Sequence, residues 1–143
     1  EMAATALLFT GEHDFSRLAR VEEKDPVRRV LSARVFDDAG AGGIFPCLEV
    51  TAESFLWQMV RGMAGALLAV GRGELDGDGV RELLGAPGER FPSAPSWGLV
   101  LWEVDCGIRF EPLARSPRSS AFLSAVRTRH EVQARVASLL EEG

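Results

Sequence analysis

The chain has no tyrosine, one lysine (Lys24), two histidines and two cysteines in 143 residues. Cys47 and Cys106 lie in strand-like segments far apart in sequence, which gives neither a disulfide framework nor a metal-ligand spacing. Both are expected as small core residues. The longest apolar stretch, FLWQMVRGMAGALLAVG from Phe55 to Gly71, is interrupted by Gln58 and Arg61 and falls short of the roughly 20 apolar residues that a membrane span needs. It reads as a buried helix, and no membrane partner is expected. The opening EMAATALLF starts with a carboxylate and lacks the basic segment and cleavage site of a secretory signal, so a cytoplasmic protein is expected. No G-x-S-x-G elbow, phosphate loop, dinucleotide fingerprint or H-E-x-x-H occurs. The triplet Glu12-His13-Asp14 makes a poor metal fragment, because adjacent side chains diverge on any regular element and the other histidine, His130, lies near the far end of the chain. His13 is better read as a hydrogen-bonding partner for backbone or phosphate.

The formal net charge of -5 argues against an all-round basic nucleic-acid binder, but the charges are segregated. Between Arg17 and Arg34 stand Arg17, Arg20, Lys24, Arg28, Arg29 and Arg34 against Glu22, Glu23 and Asp25. A second basic zone runs from Arg109 to Arg135, whereas Glu74 to Glu89 is acidic apart from Arg81. Two basic zones on an acidic protein fit a directional anion-binding face. The near-exclusive use of arginine suits bidentate phosphate contact, and a GC-rich coding bias accounts for it equally well.

One hydrophobic core is the expectation for this length. The alanine-rich stretch Met2 to Leu8 predicts a helix that starts without a cap, as if the chain were cut from a larger protein. RVLSARVF from Arg29 to Phe36 has a strand period, with Val30, Ser32, Arg34 and Phe36 on one side and Leu31, Ala33 and Val35 on the other. A loop at 37–43 and a strand from Ile44 to Ala52 complete an antiparallel hairpin, in which Pro46 marks an edge or a bulge. Thr51 or Ser54 is expected to cap the long helix, and Gly71-Arg72-Gly73 to end it. A short helix from Asp78 to Leu84, capped by Asp76 or Asp78, precedes a third, central strand from Gly98 to Cys106. The composition changes after Gly107, and Ser120 to Leu140 reads as an amphipathic helix with Phe122, Val126, Val132, Val136, Leu139 and Leu140 near one stripe. Trp57, Trp97 and Trp102 are expected at the core or its edge, with base stacking as the alternative. Gly62 and Gly65 are expected to permit close packing.

Arg61 sits in the middle of the apolar stretch. An unpartnered guanidinium in low dielectric costs several kcal/mol, so a carboxylate or phosphate is required. The helical neighbours Trp57, Gln58, Ala64 and Gly65 supply none. The partner must come from elsewhere in the fold, from another chain or from a ligand.

GEHDFSRL at Gly11 to Leu18, KDPVRRV at Lys24 to Val30, FLWQMVRGMAGALLAVGRG at Phe55 to Gly73 and APSWGLVLWEVD at Ala94 to Asp105, read in that order, resemble the C-terminal half of the tRNA pseudouridine synthase A family. The resemblance implies an α+β fold, an antiparallel or mixed sheet flanked by helices. It makes 1–107 a C-terminal catalytic subdomain truncated at its N-terminus, followed by a connector and helix in 108–143. It further implies a homodimeric, cofactor-free enzyme that isomerises uridine to pseudouridine in the anticodon stem-loop of tRNA. The family's catalytic aspartate lies in an Arg-Thr-Asp-Ala-Gly signature that is not in this sequence, and the tyrosine that packs on the target base is missing too. By the same resemblance Arg61 matches the arginine that pairs with that aspartate, and Leu99 matches an apolar position beside the target base. Arg28, Lys24 and His13 fall in blocks expected near the RNA backbone. The fragment alone is expected to be inactive, with Arg61 facing an open, partly wet cleft. The competing expectation is a non-catalytic RNA-binding or dimerisation module on the same scaffold.

Overall fold

The alanine-rich opening forms α1 (Met2–Ala6) and a 3₁₀ turn at Leu7–Phe9, in a computed structural model that describes residues 1–22, 25–40, 43–85, 87–109, 111 and 114–141. Three strands come next: β1 (Gly11–Asp14), in a polar stretch without a strand period, β2 (Val27–Gly40) and β3 (Gly43–Ala52). They form an antiparallel sheet in the order β1-β2-β3. The hairpin is longer than its composition suggests, because Asp37, Asp38, Ala39 and Gly40 still pair with Pro46, Phe45, Ile44 and Gly43. Pro46, which has no N–H to donate, sits on an edge strand as its chemistry requires.

A bulge changes which side chains of β2 face inward. The register steps from Val30↔Ala52 to Ser32↔Thr51, so Leu31 is the extra residue and the inward set shifts from even to odd positions. Val30 and Ala33 are therefore both buried, although strict alternation places them on opposite faces. On the outer face, Arg34 clamps Glu49 through two hydrogen bonds of 2.8 and 3.1 Å. That hydrogen bond, more than the charge attraction, holds the Glu49 carboxyl below the usual carboxylate range.

Two helices complete this part, α2 (Met59–Gly71) and α3 (Gly77–Gly85). The expected start of α2 near Phe55 is too early. Trp57 uses its carbonyl to accept the Arg20 N–H at 2.8 Å, and the chain turns into the helix at Gln58 in the left-handed region, φ 65°. For α3 the capping choice is settled, since the Asp76 carboxylate accepts the Gly79 N–H at 2.8 Å. The core gathers around α2. Met59, Met63 and Leu67 pack with Phe9, Phe15, Leu18, Val30, Val80 and Leu83, each worth about 1.5–3 kcal/mol when fully withdrawn from water.

The chain divides into two compact units, Glu1–Val100 and Leu101–Gly143. The second contains α4 (Pro117–Glu141), which begins three residues earlier than the sequence suggests because Ser116 caps it, accepting the Ser119 N–H at 3.1 Å, with Pro117 at the first helical position. Phe122, Leu123 and Val132 on this helix are exposed. Among the described residues no helix is long and apolar enough to cross a membrane.

The strand expected at Gly98–Cys106 does not form. A strand needs a neighbour for its backbone groups, and among the described residues nothing pairs with this stretch. Its side chains consequently stand in solvent: Trp97 and Trp102 are 90% and 88% exposed, against their expected place at the core. Cys106 is likewise exposed, while Cys47 is half-buried in β3.

Candidate functional site

The N-terminal half of α2 is bracketed by two stretches of backbone, and glycine is what admits them. A Cβ on Gly62 would lie 1.8 Å from the Leu18 carbonyl oxygen, and one on Gly65 would lie 2.1 Å from that of Pro92. Both contacts are far inside van der Waals range, so only hydrogen fits at either position. The brackets are also tied to each other, since the Phe91 N–H donates to the Arg17 carbonyl at 2.8 Å and Arg17 Nε donates to that of Glu89 at 3.2 Å.

Arg61 is held from the second bracket. Its Nε donates to the Ala94 carbonyl at 2.7 Å, and the Ala94 N–H returns a bond of 2.9 Å to the Arg61 carbonyl. The side chain is partly buried. Among the described residues no carboxylate lies within 4.0 Å of it, and Nε makes its one side-chain hydrogen bond. A structural ion pair within the chain, the simplest way to hold such a charge, is therefore not seen there. The terminal nitrogens of the fork remain available to an anion, and a planar guanidinium pinned at Nε offers the geometry that a carboxylate accepts bidentately.

The same brackets bring further cations to the entrance of α2. The Arg20 guanidinium lies 4.7 Å from the centre of the Trp57 ring and forms an ion pair of 3.1 Å with Glu22. Arg90 reaches Gln58 Oε1 at 3.4 Å. Arg17 approaches Glu82 at 3.9 Å. Arg20, Arg90 and Trp57 were not singled out by the sequence as a group, because three segments distant in the chain bring them together.

The other sequence candidates fall elsewhere. His13 and Arg28 are cross-strand partners of β1 and β2. His13 Nε2 donates to the Thr10 carbonyl at 3.1 Å, and Arg28 folds back to donate to the carbonyls of Asp25 and Val27 at 2.8 and 2.6 Å. The buried Arg28 Nε has no partner among the described residues. No hydrogen bond or ion pair among the described residues joins His13 or Arg28 to Arg61. Lys24 lies outside the described residues. Leu99 is 51% exposed and sits in a turn closed by its own N–H to the Ser96 carbonyl, 3.1 Å, and not on the strand that was to place it.

A family model described as tRNA pseudouridine synthase matches residues 5–105. The chain is similar to the tRNA pseudouridine synthase A of Methanosphaerula palustris, 48% identical over 142 residues, which is 99% of this chain and 49% of that protein. The protein of that description from Methanoculleus marisnigri is 44% identical over 142 residues, 99% of this chain and 51% of its own length. The one from Thermococcus kodakarensis is 42% identical over 113 residues, 77% of this chain and 41% of its own. The chain thus spans about half the length of the curated relatives it matches most fully.

Proposed function

The chain belongs to the tRNA pseudouridine synthase family, and from that membership we propose that it is the C-terminal portion of an enzyme that isomerises uridine to pseudouridine in the anticodon stem-loop of tRNA. The reaction breaks the bond between C1′ and N1, turns the base and rejoins it through C5, so the chemistry needs no cofactor. Its essential group is the aspartate of an Arg-Thr-Asp-Ala-Gly signature, which is not in this sequence and which this reading assigns to the rest of the enzyme. Arg61 carries the proposal. A guanidinium fixed at Nε by Ala94, with no carboxylate partner among the described residues, is the half of an ion pair whose other half is that aspartate. In a dry pocket such a pair keeps the carboxylate ionised and aimed. The same reading has the enzyme act as a cytoplasmic homodimer.

The test is pseudouridine formation on tRNA by the complete gene product and by its Arg61→Ala and Arg61→Lys variants. The proposal expects activity in the parent, a loss of about a hundredfold or more in kcat for Arg61→Ala, as for removal of a positioned electrostatic donor, and only partial rescue by lysine. Unchanged turnover in Arg61→Ala would sink the role assigned to Arg61. A parent that binds tRNA and makes no pseudouridine identifies the chain with a non-catalytic RNA-binding module instead.

A further inference from the structure

At the entrance of α2, four residues ahead of Arg61 in sequence, stands an aromatic side chain that no packing requirement explains. Trp57 is 60% exposed. One face of its ring is covered by the Arg20 guanidinium, 4.7 Å from the ring centre. A ring closed on both faces could not keep that exposure, so the face away from Arg20 meets solvent. The backbone that carries the indole is tied down, because the Trp57 main-chain carbonyl accepts the Arg20 N–H at 2.8 Å and the next residue turns sharply into the helix. An exposed indole backed by a cation and carried on a fixed backbone is a poor use of apolar surface unless something flat is set on it.

We propose that the Arg20–Trp57 stack and Arg90 form a platform for an unpaired nucleotide of the RNA substrate, with its base on the open face of Trp57 and its phosphate on Arg90. The inference rests on the reading of the chain as part of an RNA-modifying enzyme. Stacking on an aromatic is indifferent to base identity, since every base presents a π-face. The two arginines divide the work. Arg20 is already shared between the indole and Glu22, 3.1 Å away, so its role is to back the ring. Arg90 has no carboxylate within 4.0 Å among the described residues and only the neutral Gln58 amide at 3.4 Å, which leaves its charge for a phosphate. Arg90 lies on the bracket whose Ala94 anchors Arg61, and Arg20 on the bracket that packs against Gly62, so a nucleotide seated here is registered against the reacting one.

The complete gene product tests the platform through KM for tRNA, with tRNA affinity and its salt dependence measured alongside. Trp57→Ala is expected to raise KM roughly 10- to 100-fold, the loss typical of one stacked base, with a smaller change in kcat. Trp57→Phe, which keeps a ring, should recover most of it. Arg90→Gln should lower the slope of log affinity against log salt by about one contact's worth, 0.7–0.9. A parent that makes pseudouridine while Trp57→Ala keeps its KM overturns the platform and leaves the functional reading intact. If the parent makes none, that reading fails, and direct binding of tRNA to parent and Trp57 variants still decides the platform. Equal damage from Ala and Phe together with a lowered melting temperature would assign Trp57 to packing and overturn the proposal.

Discussion

Replacing Gly65 with alanine is the sharpest test of how the fold positions Arg61. The added methyl would sit 2.1 Å from the Pro92 carbonyl oxygen, and the obstacle is backbone, with the Ala94 nitrogen at 3.2 Å behind it. To reach even a strained contact of 3.0 Å, the Pro92–Ala94 stretch or the helix has to move by roughly 1 Å, because repulsion rises steeply inside contact distance. Alanine is worth about 1 kcal/mol over glycine in a helix interior, whereas overpacking at a rigid wall costs about 3 kcal/mol or more. The net expectation is a loss of about 2 kcal/mol, read as a lower urea midpoint at unchanged slope. The same movement breaks the paired bonds between Arg61 and Ala94, 2.7 and 2.9 Å. A displacement of about 1 Å can cost a hundredfold in rate, so pseudouridine formation by the complete gene product should fall far more than stability does. Gly85→Ala, where a Cβ meets nothing within 4 Å, is the matched control and should be neutral or slightly stabilising. A Gly65→Ala protein with parental midpoint and parental turnover would refute the idea that this approach holds the arginine.

Two further outcomes are expected. Gln58 adopts φ 65°, a region that costs a non-glycine residue about 1 kcal/mol or more, so Gln58→Gly should raise the melting temperature by a few degrees for a unit of this size; a fall would show that the amide side chain matters more than the backbone. For the outer face of the hairpin, the depressed Glu49 carboxyl stabilises the fold above the usual carboxylate pKa and ceases to do so as pH falls through its lowered value. The small stability difference between parent and Arg34→Gln should therefore be present at neutral pH, shrink with added salt and close in acid; a gap that persists once Glu49 is protonated would contradict the pairing.

The parts of this fold legible in the sequence are those decided by neighbours in the chain. The hairpin period, the Asp76 cap and the glycine stop of α2 all depend on contacts within a few residues. What could not be read depends on distant segments. Leu31 gives no sign in its own surroundings that it will be extruded as a bulge, so strict alternation puts Val30 and Ala33 on opposite sides of the strand. The start of α2 is set by Arg20, which claims the Trp57 carbonyl before the helix can use it. The strand pattern of LVLWEVDC is genuine, yet a pattern states only which residues would share a face if a partner strand were present. The same division holds for the site. Arg61 announced itself because a charge inside an apolar run demands an explanation. Its anchor is a main-chain carbonyl at Ala94, which no sequence motif marks, and the arginines at the entrance of α2 come from two stretches distant from it in the chain. Gly62 and Gly65 were recognisable as packing glycines, but the identity of what they admit was not.

The stretch from Trp97 to Val104 governs how this chain must be handled. Two nearly bare tryptophans, with Val100 and Leu101 also largely uncovered, make it adhesive, and such alternating apolar segments invite intermolecular strand pairing. Purified without whatever covers that surface, the chain should precipitate as its concentration rises, with crowding at Trp97 and Trp102 visible as a concentration-dependent shift in tryptophan emission. Charged substitutions at those two positions are the direct way to keep it in solution, and they leave α2 and its brackets untouched.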